Sequence, residues 1–215
     1  MDQNIKKRFY ELGIIPVVVL DREEDALPLA NALLEGGLPC AEVTFRTEAA
    51  AGSIRKMAKE CPELFVGAGT VLSEKQVDEA LDAGAKFIVS PGLNPDVVKH
   101  CQKRGVPVIP GCCTPTEVEQ AMGLGLDVVK FFPAEPAGGI RMIKAMSAPY
   151  SNVRFIPTGG LNEKNIATYL EESCILACGG SWMVKGDLVR NGKWEEMKQM
   201  TREAVELVKR YHTGL

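Results

Sequence analysis

The chain has 215 residues and a mass of 23.3 kDa. Its 25 Lys and Arg residues stand against 28 Asp and Glu residues, which gives a formal charge of −3, and hydrophobic residues make up 46% of the chain. These values are ordinary for a globular protein of one domain. The acidic balance and the lack of a long Lys/Arg run argue against a protein that binds nucleic acid, because duplex binding depends on clustered positive charge.

The N-terminal segment is polar, and the apolar run that follows it, 13–20, is short and contains Pro16. It fits neither a signal peptide nor a membrane span, so we expect no contact with a membrane. The seven cysteines are an odd number and mostly sit in apolar or helical surroundings. We therefore expect reduced thiols and a cytoplasmic protein.

One pattern repeats along the chain: a short apolar run ends in Gly, Pro or a small polar residue, and a stretch with helical periodicity follows. The eight apolar runs are 14–20, 40–45, 64–68, 86–90, 106–110, 127–132, 153–157 and 175–178. The helical stretches are 23–35, 47–61, 73–83, 95–104, 115–123, 139–146, 163–171 and 194–211. Residues suited to cap a helix precede five of them, namely Thr47, Ser73, Asn94, Thr114 and Asn162.

Strands that alternate with helices predict a parallel sheet with right-handed crossovers. Eight such units that close on themselves form a (β/α)8 TIM barrel, and 215 residues lie near the small end of its usual range. We therefore predict a single barrel domain over residues 1–215, with a short extra helix within 1–12. A doubly wound open sheet is the alternative.

The second predicted strand carries polar groups on one face. Because alternate residues of a barrel strand face the lumen, Glu42, Thr44 and Arg46 are predicted to point inward. Buried charges are costly unless they are paired or used in chemistry. These residues therefore indicate either a reactive site or a structural Glu–Arg pair.

The third predicted strand ends in Gly67-Ala-Gly-Thr70. Thr70 is expected at the rim of the barrel, where its hydroxyl can bond a carboxylate. No further glycine follows at the spacing of a dinucleotide-binding motif, so we do not predict a Rossmann site.

The sixth predicted strand contains a lysine inside the apolar run Val-Val-Lys-Phe-Phe. Such a residue is unusual, because strands of a parallel sheet are nearly continuous in hydrophobic side chains. If Lys130 lies in the lumen, burial and the positive charge of Arg46 both favour the neutral amine. A neutral amine can attack a ketone and form first a carbinolamine and then an imine. The alternatives are a lysine that reaches solvent or one that pairs with Glu42.

Two glycine pairs follow the seventh and eighth predicted strands, Gly159-Gly160 and Gly179-Gly180. Glycine lets the backbone approach an anion closely, and the loops after these two strands frequently hold phosphate in barrels. The pairs therefore predict a phosphate site, although a Gly-Gly pair also marks ordinary turns. We predict no metal site, because the two histidines, His100 and His212, are expected on exposed helical segments and the cysteines lack zinc spacing.

Taken together and in order, several stretches resemble the 2-keto-3-deoxy-6-phosphogluconate / 4-hydroxy-2-oxoglutarate aldolase family, and the resemblance covers essentially the whole chain. These stretches are Glu-Val-Thr-Phe-Arg-Thr (42–47), Val-Gly-Ala-Gly-Thr-Val-Leu (66–72), Ser-Pro-Gly-Leu (90–93), Ile-Pro-Gly (109–111), Val-Lys-Phe-Phe-Pro-Ala-Glu (129–135), Pro-Thr-Gly-Gly (157–160) and Gly-Gly-Ser-Trp (179–182).

The resemblance implies a class I aldolase that needs no metal and no cofactor. Lys130 matches the imine-forming lysine of the family, and Glu42 matches its general acid and base. Arg46 and Thr70 match residues that hold the carboxylate at the pyruvate end of the substrate.

The remaining matches line the pocket: Phe132 and Pro91 correspond to its walls, Thr158 lies at it, and Gly160, Gly180 and Ser181 correspond to the phosphate cradle. The resemblance also implies a cytoplasmic homotrimer. One departure concerns the end of the first strand, where several relatives have an arginine and this chain has Leu20-Asp21.

The expected reaction is cleavage of 2-keto-3-deoxy-6-phosphogluconate to pyruvate and glyceraldehyde 3-phosphate, with activity on 4-hydroxy-2-oxoglutarate as an additional expectation. The galactonate epimer differs only in the configuration of a hydroxyl group. Two other functions stay open: a phosphate-binding isomerase or synthase in which Lys130 acts only through its charge, and a barrel that binds a phosphorylated ligand for sensing.

Overall fold

The computed structural model describes residues 1–212. Nine short strands alternate with helices along this part of the chain. The strands are β1 (Ile14–Val18), β2 (Cys40–Thr44), β3 (Phe65–Gly69), β4 (Ile88–Val89), β5 (Val108–Ile109), β6 (Gly111–Cys112), β7 (Val128–Phe131), β8 (Arg154–Pro157) and β9 (Cys178–Gly180).

The helices lie between these strands and at both ends of the described chain. They are α1 (Gln3–Leu12), α2 (Ala26–Glu35), α3 (Ala50–Glu60), α4 (Glu74–Asp82), α5 (Pro95–Lys103), α6 (Pro115–Gly123), α7 (Gly139–Ser147), α8 (Ala167–Leu170), α9 (Gly186–Arg190) and α10 (Trp194–Tyr211), with 3-10 turns at Glu23–Asp25 and Trp182–Val184. No helix among the described residues combines the length and apolarity that crossing a membrane requires.

The strands form a curled, parallel α/β arrangement in two sheets. One sheet has six strands in the order β5-β4-β3-β2-β1-β9, and the other has three in the order β6-β7-β8. Only Pro110 separates β5 from β6, and its carbonyl accepts a hydrogen bond from the Lys130 amide at 2.9 Å. At the opposite edges, parallel bridges join Phe155 to Ile175 and Thr158 to Gly179. The α/β class and the order of alternating elements predicted from the sequence are confirmed.

Several predicted helix starts hold for the expected physical reason. The side chains of Ser73, Asn94 and Thr114 each accept a bond from the first turn of their helix, and Thr114 forms a reciprocal capping box with Glu117. Thr47 does not cap α3, because its hydroxyl donates instead to the Leu20 carbonyl at 2.5 Å.

Two predicted elements are shifted or broken. The predicted strand 175–178 lies further along the chain, so that Gly179 and Gly180 belong to β9 and not to the loop after it. The predicted helix 163–171 is mostly turn, with α-helix only in α8, and the short α9 was not predicted. The last three residues of the predicted single domain, 213–215, lie outside the described part of the chain.

Helix α1, predicted as a short extra helix, covers the N-terminal ends of the strands. Phe9 of this helix is fully buried, and its ring centre lies 5.4 Å from that of Phe65 and 5.1 Å from that of Phe87, both in edge-on contact. Edge-on aromatic pairs at these distances stabilise a core beyond the area that they bury. The three rings therefore pack together where β3 and β4 begin.

We expect Phe9→Ala to lower the free energy of unfolding by about 3–5 kcal/mol, because it removes a fully buried ring and leaves a cavity between Phe65 and Phe87. Urea unfolding followed by circular dichroism measures this loss. Leu72→Ala is the matched control, since Leu72 is 56% exposed and its truncation should cost less than about 0.5 kcal/mol. A loss below about 1 kcal/mol for Phe9→Ala would contradict the role of the ring.

Candidate active site

A cavity of about 440 Å³ opens at the C-terminal ends of the strands. Parallel α/β folds place their ligands at this end, because the loops that follow the strands meet there. We call it the site cavity. Its lining residues are Val17, Val19, Arg46, Phe132, Thr158, Gly159, Gly160, Leu161, Gly179, Ser181, Val184, Lys185 and Gly186.

A buried ion pair lies beside the site cavity. Lys130 on β7 donates to Glu42 Oε1 on β2 across 3.4 Å, and the two side chains are only 6% and 3% exposed. Because β2 and β7 belong to different sheets, this contact spans the interior of the fold. The amine lies 5.3 Å from the ring centre of Phe132, which lines the site cavity. Lys130 therefore does not reach solvent outside the sheet, whereas the predicted alternative of a contact with Glu42 is observed.

Gly69 makes room for the carboxylate of Glu42. A Cβ atom at position 69 would lie 2.2 Å from Glu42 Oε1, and one at position 67 would lie 2.4 Å from the Phe87 ring. Both distances are far shorter than a van der Waals contact, so larger residues would displace the side chains beside them. The Gly-Ala-Gly segment of β3 thus leaves space inside the fold for the Glu42 carboxylate beside Gly69 and for the Phe87 ring beside Gly67.

Arg46 and Thr70 meet at the rim, beyond the ends of β2 and β3. Arg46 Nε donates to Thr70 Oγ1 at 3.2 Å, and Arg46 forms no ion pair with any residue of 1–212. Thr70 has a φ of 56°, a left-handed conformation that is strained for a threonine. The sequence left open a Glu–Arg pair, but the partner of Glu42 is Lys130. The guanidinium group instead keeps donors for an anion in the site cavity.

The loop at Gly159-Gly160 is held by the segment that follows β7. The amide of Ala134 donates to the Thr158 carbonyl at 2.8 Å, and the amide of Glu135 donates to the Gly159 carbonyl at 3.0 Å. Both glycines have positive φ, 104° and 85°, which favours glycine over any other residue. The loop therefore has one defined backbone path along the site cavity.

A buried tyrosine fixes the carboxylate of Glu135 behind this loop. The Tyr169 hydroxyl donates to Glu135 Oε1. Burial and this hydrogen bond raise the pKa of Tyr169 well above its ordinary value, so the hydroxyl stays a proton donor. The sequence analysis missed this contact, because it joins two residues that are far apart along the chain.

Thr158 contributes a hydroxyl at the wall of the site cavity. It is 7% exposed, and its Oγ1 has no hydrogen-bond partner within residues 1–212. Buried hydroxyls are nearly always bonded, so an unmatched one beside a cavity indicates a ligand contact. A Cβ atom at Gly179 would lie 2.2 Å from this oxygen, so only glycine leaves room for the hydroxyl at that position.

Most of the predicted site residues lie at or beside the site cavity, but two lie apart from it. Pro91 does not line it, and its carbonyl instead packs against Gly111. Gly180 is covered by the Trp182 ring, whose Cζ3 would be 2.0 Å from a Cβ atom there. Val17, Val19 and Lys185 line the site cavity without having been predicted to, although alternation along the apolar run 14–20 indicates that residues 17 and 19 share a face.

The cysteines behave as packing residues. The seven thiols are free, and burial raises the pKa of Cys101 and Cys112 to about 12. Such thiols are poor nucleophiles, because the thiolate is the reactive form. Within residues 1–212 no group of three or more His, Cys, Asp or Glu side chains is arranged to hold a metal ion. His100 was expected to be exposed, but it is largely buried and contacts Asp78 at 2.9 Å.

His212 was also expected to be exposed. Its ring packs against that of Tyr10 at a tilt of 49°, with the ring centres 3.9 Å apart, and burial lowers the pKa of His212 below its ordinary value. The expectation of two exposed histidines was therefore wrong, since both rings pack against neighbouring elements.

Comparisons with known proteins agree on one family. The sequence profile "Aldolase: KDPG and KHG aldolase" matches residues 5–200. The 2-dehydro-3-deoxy-phosphogluconate aldolase of Treponema pallidum is 49% identical over 91% of this chain and 93% of its own. The KHG/KDPG aldolase of Escherichia coli K12 is 45% identical over 90% and 91%.

A solved structure extends the comparison to the fold. The KDPG aldolase of Legionella pneumophila, with pyruvate captured at low pH as a covalent carbinolamine intermediate, superposes with a TM-score of 0.90 at 39% identity. The alignment covers 93% of this chain and 97% of that one. At this similarity the two chains share the same fold.

The buried pair predicts a non-additive effect on stability. Glu42→Leu should lower the free energy of unfolding by about 3–5 kcal/mol at neutral pH, because it leaves the Lys130 ammonium buried without a partner. The double variant Glu42→Leu/Lys130→Met should recover most of this loss, because apolar side chains of similar volume can replace a buried pair. Urea unfolding of both single variants and the double variant measures the coupling, and a double variant no more stable than Glu42→Leu would contradict it.

Proposed function

The chain belongs to the KDPG and KHG aldolase family, and we propose that it is a class I aldolase that cleaves 2-keto-3-deoxy-6-phosphogluconate to pyruvate and glyceraldehyde 3-phosphate. The observation that carries the proposal is the buried contact of 3.4 Å between the amine of Lys130 and the carboxylate of Glu42. It supplies a nucleophile and a proton carrier at one point. The E. coli relative is named for both substrates, so we extend the proposal to cleavage of 4-hydroxy-2-oxoglutarate to pyruvate and glyoxylate.

In the first step the amine of Lys130 attacks the C2 ketone of the substrate. The attack needs a neutral amine, and the Glu42 carboxylate is close enough to take its proton. The resulting carbinolamine loses its hydroxyl as water, with the proton supplied through Glu42, and leaves an iminium ion. The relative from Legionella was captured with pyruvate as such a carbinolamine, which supports this assignment.

In the second step Glu42, directly or through a water molecule, removes the proton of the C4 hydroxyl. The C3–C4 bond breaks, its electron pair moves toward the iminium nitrogen as an enamine forms, and the aldehyde is released. The enamine then takes a proton at C3, and water hydrolyses the iminium to release pyruvate and the free Lys130 amine. Each proton removed by Glu42 is returned in a later step, so the enzyme ends unchanged.

The two ends of the substrate are assigned to the two ends of the site. We assign the carboxylate next to the ketone to Arg46 and Thr70, since the guanidinium keeps free donors beside the rim. Phe132 forms the wall between this end and the amine, and Pro91 stands behind it by resemblance alone.

We assign the phosphate to the glycine-lined end of the site cavity. Gly159, Gly160, Gly179 and Ser181 line it, and backbone amides bind phosphate well where no side chain intervenes. Gly180 supports this cradle from behind through its contact with Trp182. Thr158 brings a hydroxyl without a partner among residues 1–212 toward the middle of the substrate.

We also propose that the two sheets form one closed (β/α)8 barrel in a single domain, residues 1–215. The bridges between β8 and the region of β9 support closure on one side, and the single residue between β5 and β6 supports it on the other. In this arrangement β5 and β6 count as one barrel strand. The proposed homotrimer and cytoplasmic location rest on resemblance to the family, and the charge of −3 gives no support for a nucleic-acid partner.

The covalent step separates this function from an isomerase, a synthase or a sensor. We expect incubation with pyruvate and borohydride to give an irreversible mass gain on the peptide that contains Lys130, because borohydride reduces the iminium ion. Lys130→Met should show no gain under the same conditions. Mass spectrometry of the digested protein measures the adduct. A wild-type protein without the adduct, or an adduct on another lysine, would remove the proposed mechanism.

The role of Glu42 is tested by Glu42→Gln, which keeps the shape of the side chain but removes the proton carrier. We expect kcat for the phosphorylated substrate to fall by about 10²–10⁴-fold while the protein stays folded, since a positioned acid or base typically contributes this much. Glu48→Gln, at an exposed glutamate just beyond β2, is the matched control and should leave kcat unchanged. Turnover of Glu42→Gln at the wild-type rate would refute the assignment.

A further inference from the structure

Lys185 stands at the rim of the site cavity without an assigned role. It follows the turn Trp182–Val184 and directly precedes α9, and its side chain is exposed. It lines the site cavity together with Gly160 and Ser181. Within residues 1–212 no carboxylate forms an ion pair with Lys185, so its ammonium group is not engaged by the fold.

The charges that line the site cavity are unevenly placed. Its lining contains two cations, Arg46 and Lys185, and no carboxylate. Arg46 follows β2 and Lys185 comes after β9, and β1 lies between these two strands in the sheet. The two positive groups therefore lie on opposite sides of β1. This spacing suits a substrate with an anion at each end.

The cradle beside Lys185 contributes no other charge. Among the described residues, the amides of Gly160 and Ser181 donate to no carbonyl of the chain. Neutral amides can orient a phosphate, but a dianion in a cavity with few charges is stabilised further by a nearby cation. Lys185 is the cation that lines the site cavity at this end, whereas Lys164 lines only a neighbouring cleft. That cleft shares Gly160, Ser181 and Lys185 with the site cavity and adds Glu163 beside Lys164.

Resting on the proposed function, we propose that Lys185 is a specificity-determining residue that pairs with the phosphate group of the substrate. Its ammonium group favours a phosphorylated six-carbon acid over 4-hydroxy-2-oxoglutarate. The second substrate is shorter, so with its ketone at Lys130 its far carboxylate does not reach as far toward Lys185 as the phosphate does. No bond is made or broken by this residue, so its effect falls on substrate binding and on the choice between substrates.

The test compares Lys185→Met with the wild-type enzyme on both substrates. We expect KM for the phosphorylated acid to rise by about 10-fold in Lys185→Met, as for the loss of one charge-assisted contact, with kcat changed much less. The ratio of kcat/KM for the phosphorylated acid to kcat/KM for 4-hydroxy-2-oxoglutarate should fall by a similar factor. Lys185→Arg should restore most of the wild-type ratio, because it returns the charge.

Two control variants separate this contact from general surface charge. Lys193→Met removes an exposed lysine between α9 and α10 that does not line the site cavity, and it should leave the ratio unchanged. Lys164→Met should change it less than Lys185→Met does. An unchanged ratio in Lys185→Met, or an equal fall in Lys193→Met or Lys164→Met, would overturn the proposal.

Binding of inorganic phosphate, measured by calorimetry, tests Lys185 without any turnover. We expect the wild-type protein to bind phosphate more tightly than Lys185→Met does, and the difference should shrink as salt is added. Equal binding by the two proteins would contradict the proposal even if the aldolase activity is present. Conversely, a wild-type protein that cleaves neither substrate and forms no adduct with pyruvate refutes the proposed function, while the phosphate measurement still decides the role of Lys185.

Discussion

Two opposite charges, almost wholly removed from solvent, constrain the rest of this fold. Glu42 and Lys130 lie on strands of different sheets and meet at 3.4 Å. Separating them would leave one charge unpaired in a medium where solvation is poor, so both strands must keep their relative height. Gly69 contributes to the same constraint, because only glycine leaves space for the Glu42 carboxylate at that position. The two groups to which we assign the chemistry are thus part of the core that holds the sheets together.

The surroundings of the pair are neutral on the walls and positive at the ends. Phe132 and the valines of β1 give the site cavity apolar sides, while Arg46 and Lys185 supply positive charge on either side of β1. The Gly159-Gly160 loop is held by Glu135, whose amide donates to the Gly159 carbonyl. The Tyr169 hydroxyl in turn donates to the Glu135 carboxylate. A substrate with an anionic group at each end matches this distribution of charge.

The sequence predicts the parts of the structure that follow from local periodicity. Period-two alternation placed Glu42 toward the interior, and the exceptional position of Lys130 in an apolar run placed the amine beside it. The contact between Tyr169 and Glu135 was not predictable, because no local pattern joins these two residues. Lys185 was missed for another reason: an exposed lysine after a strand resembles any solvated surface residue until the cavity beside it is known.

Two elements have bounds that differ from the predicted ones, and each difference has a physical reason. The glycine pair after 178 extends β9 because Pro16 of β1 lies opposite Gly180, which lengthens the ladder beyond the apolar run. The helix expected over 163–171 is shorter in the structure, because asparagine side chains replace a regular first turn. The Asn162 side chain accepts from the Lys164 amide, and the Asn165 side chain accepts from the Asn162 amide and donates to the Gly160 carbonyl.

The aromatic cluster formed by Phe9, Phe65 and Phe87 has a consequence for how molecules enter and leave. These rings pack at the N-terminal ends of the strands, and the site cavity opens at the C-terminal ends, so in the proposed reaction the substrate and both products pass through that opening. In the proposed reaction the aldehyde must depart before the three-carbon fragment attached to the lysine can follow it. The order of release then follows from the covalent bond to the lysine, because the three-carbon fragment stays attached until the iminium ion is hydrolysed.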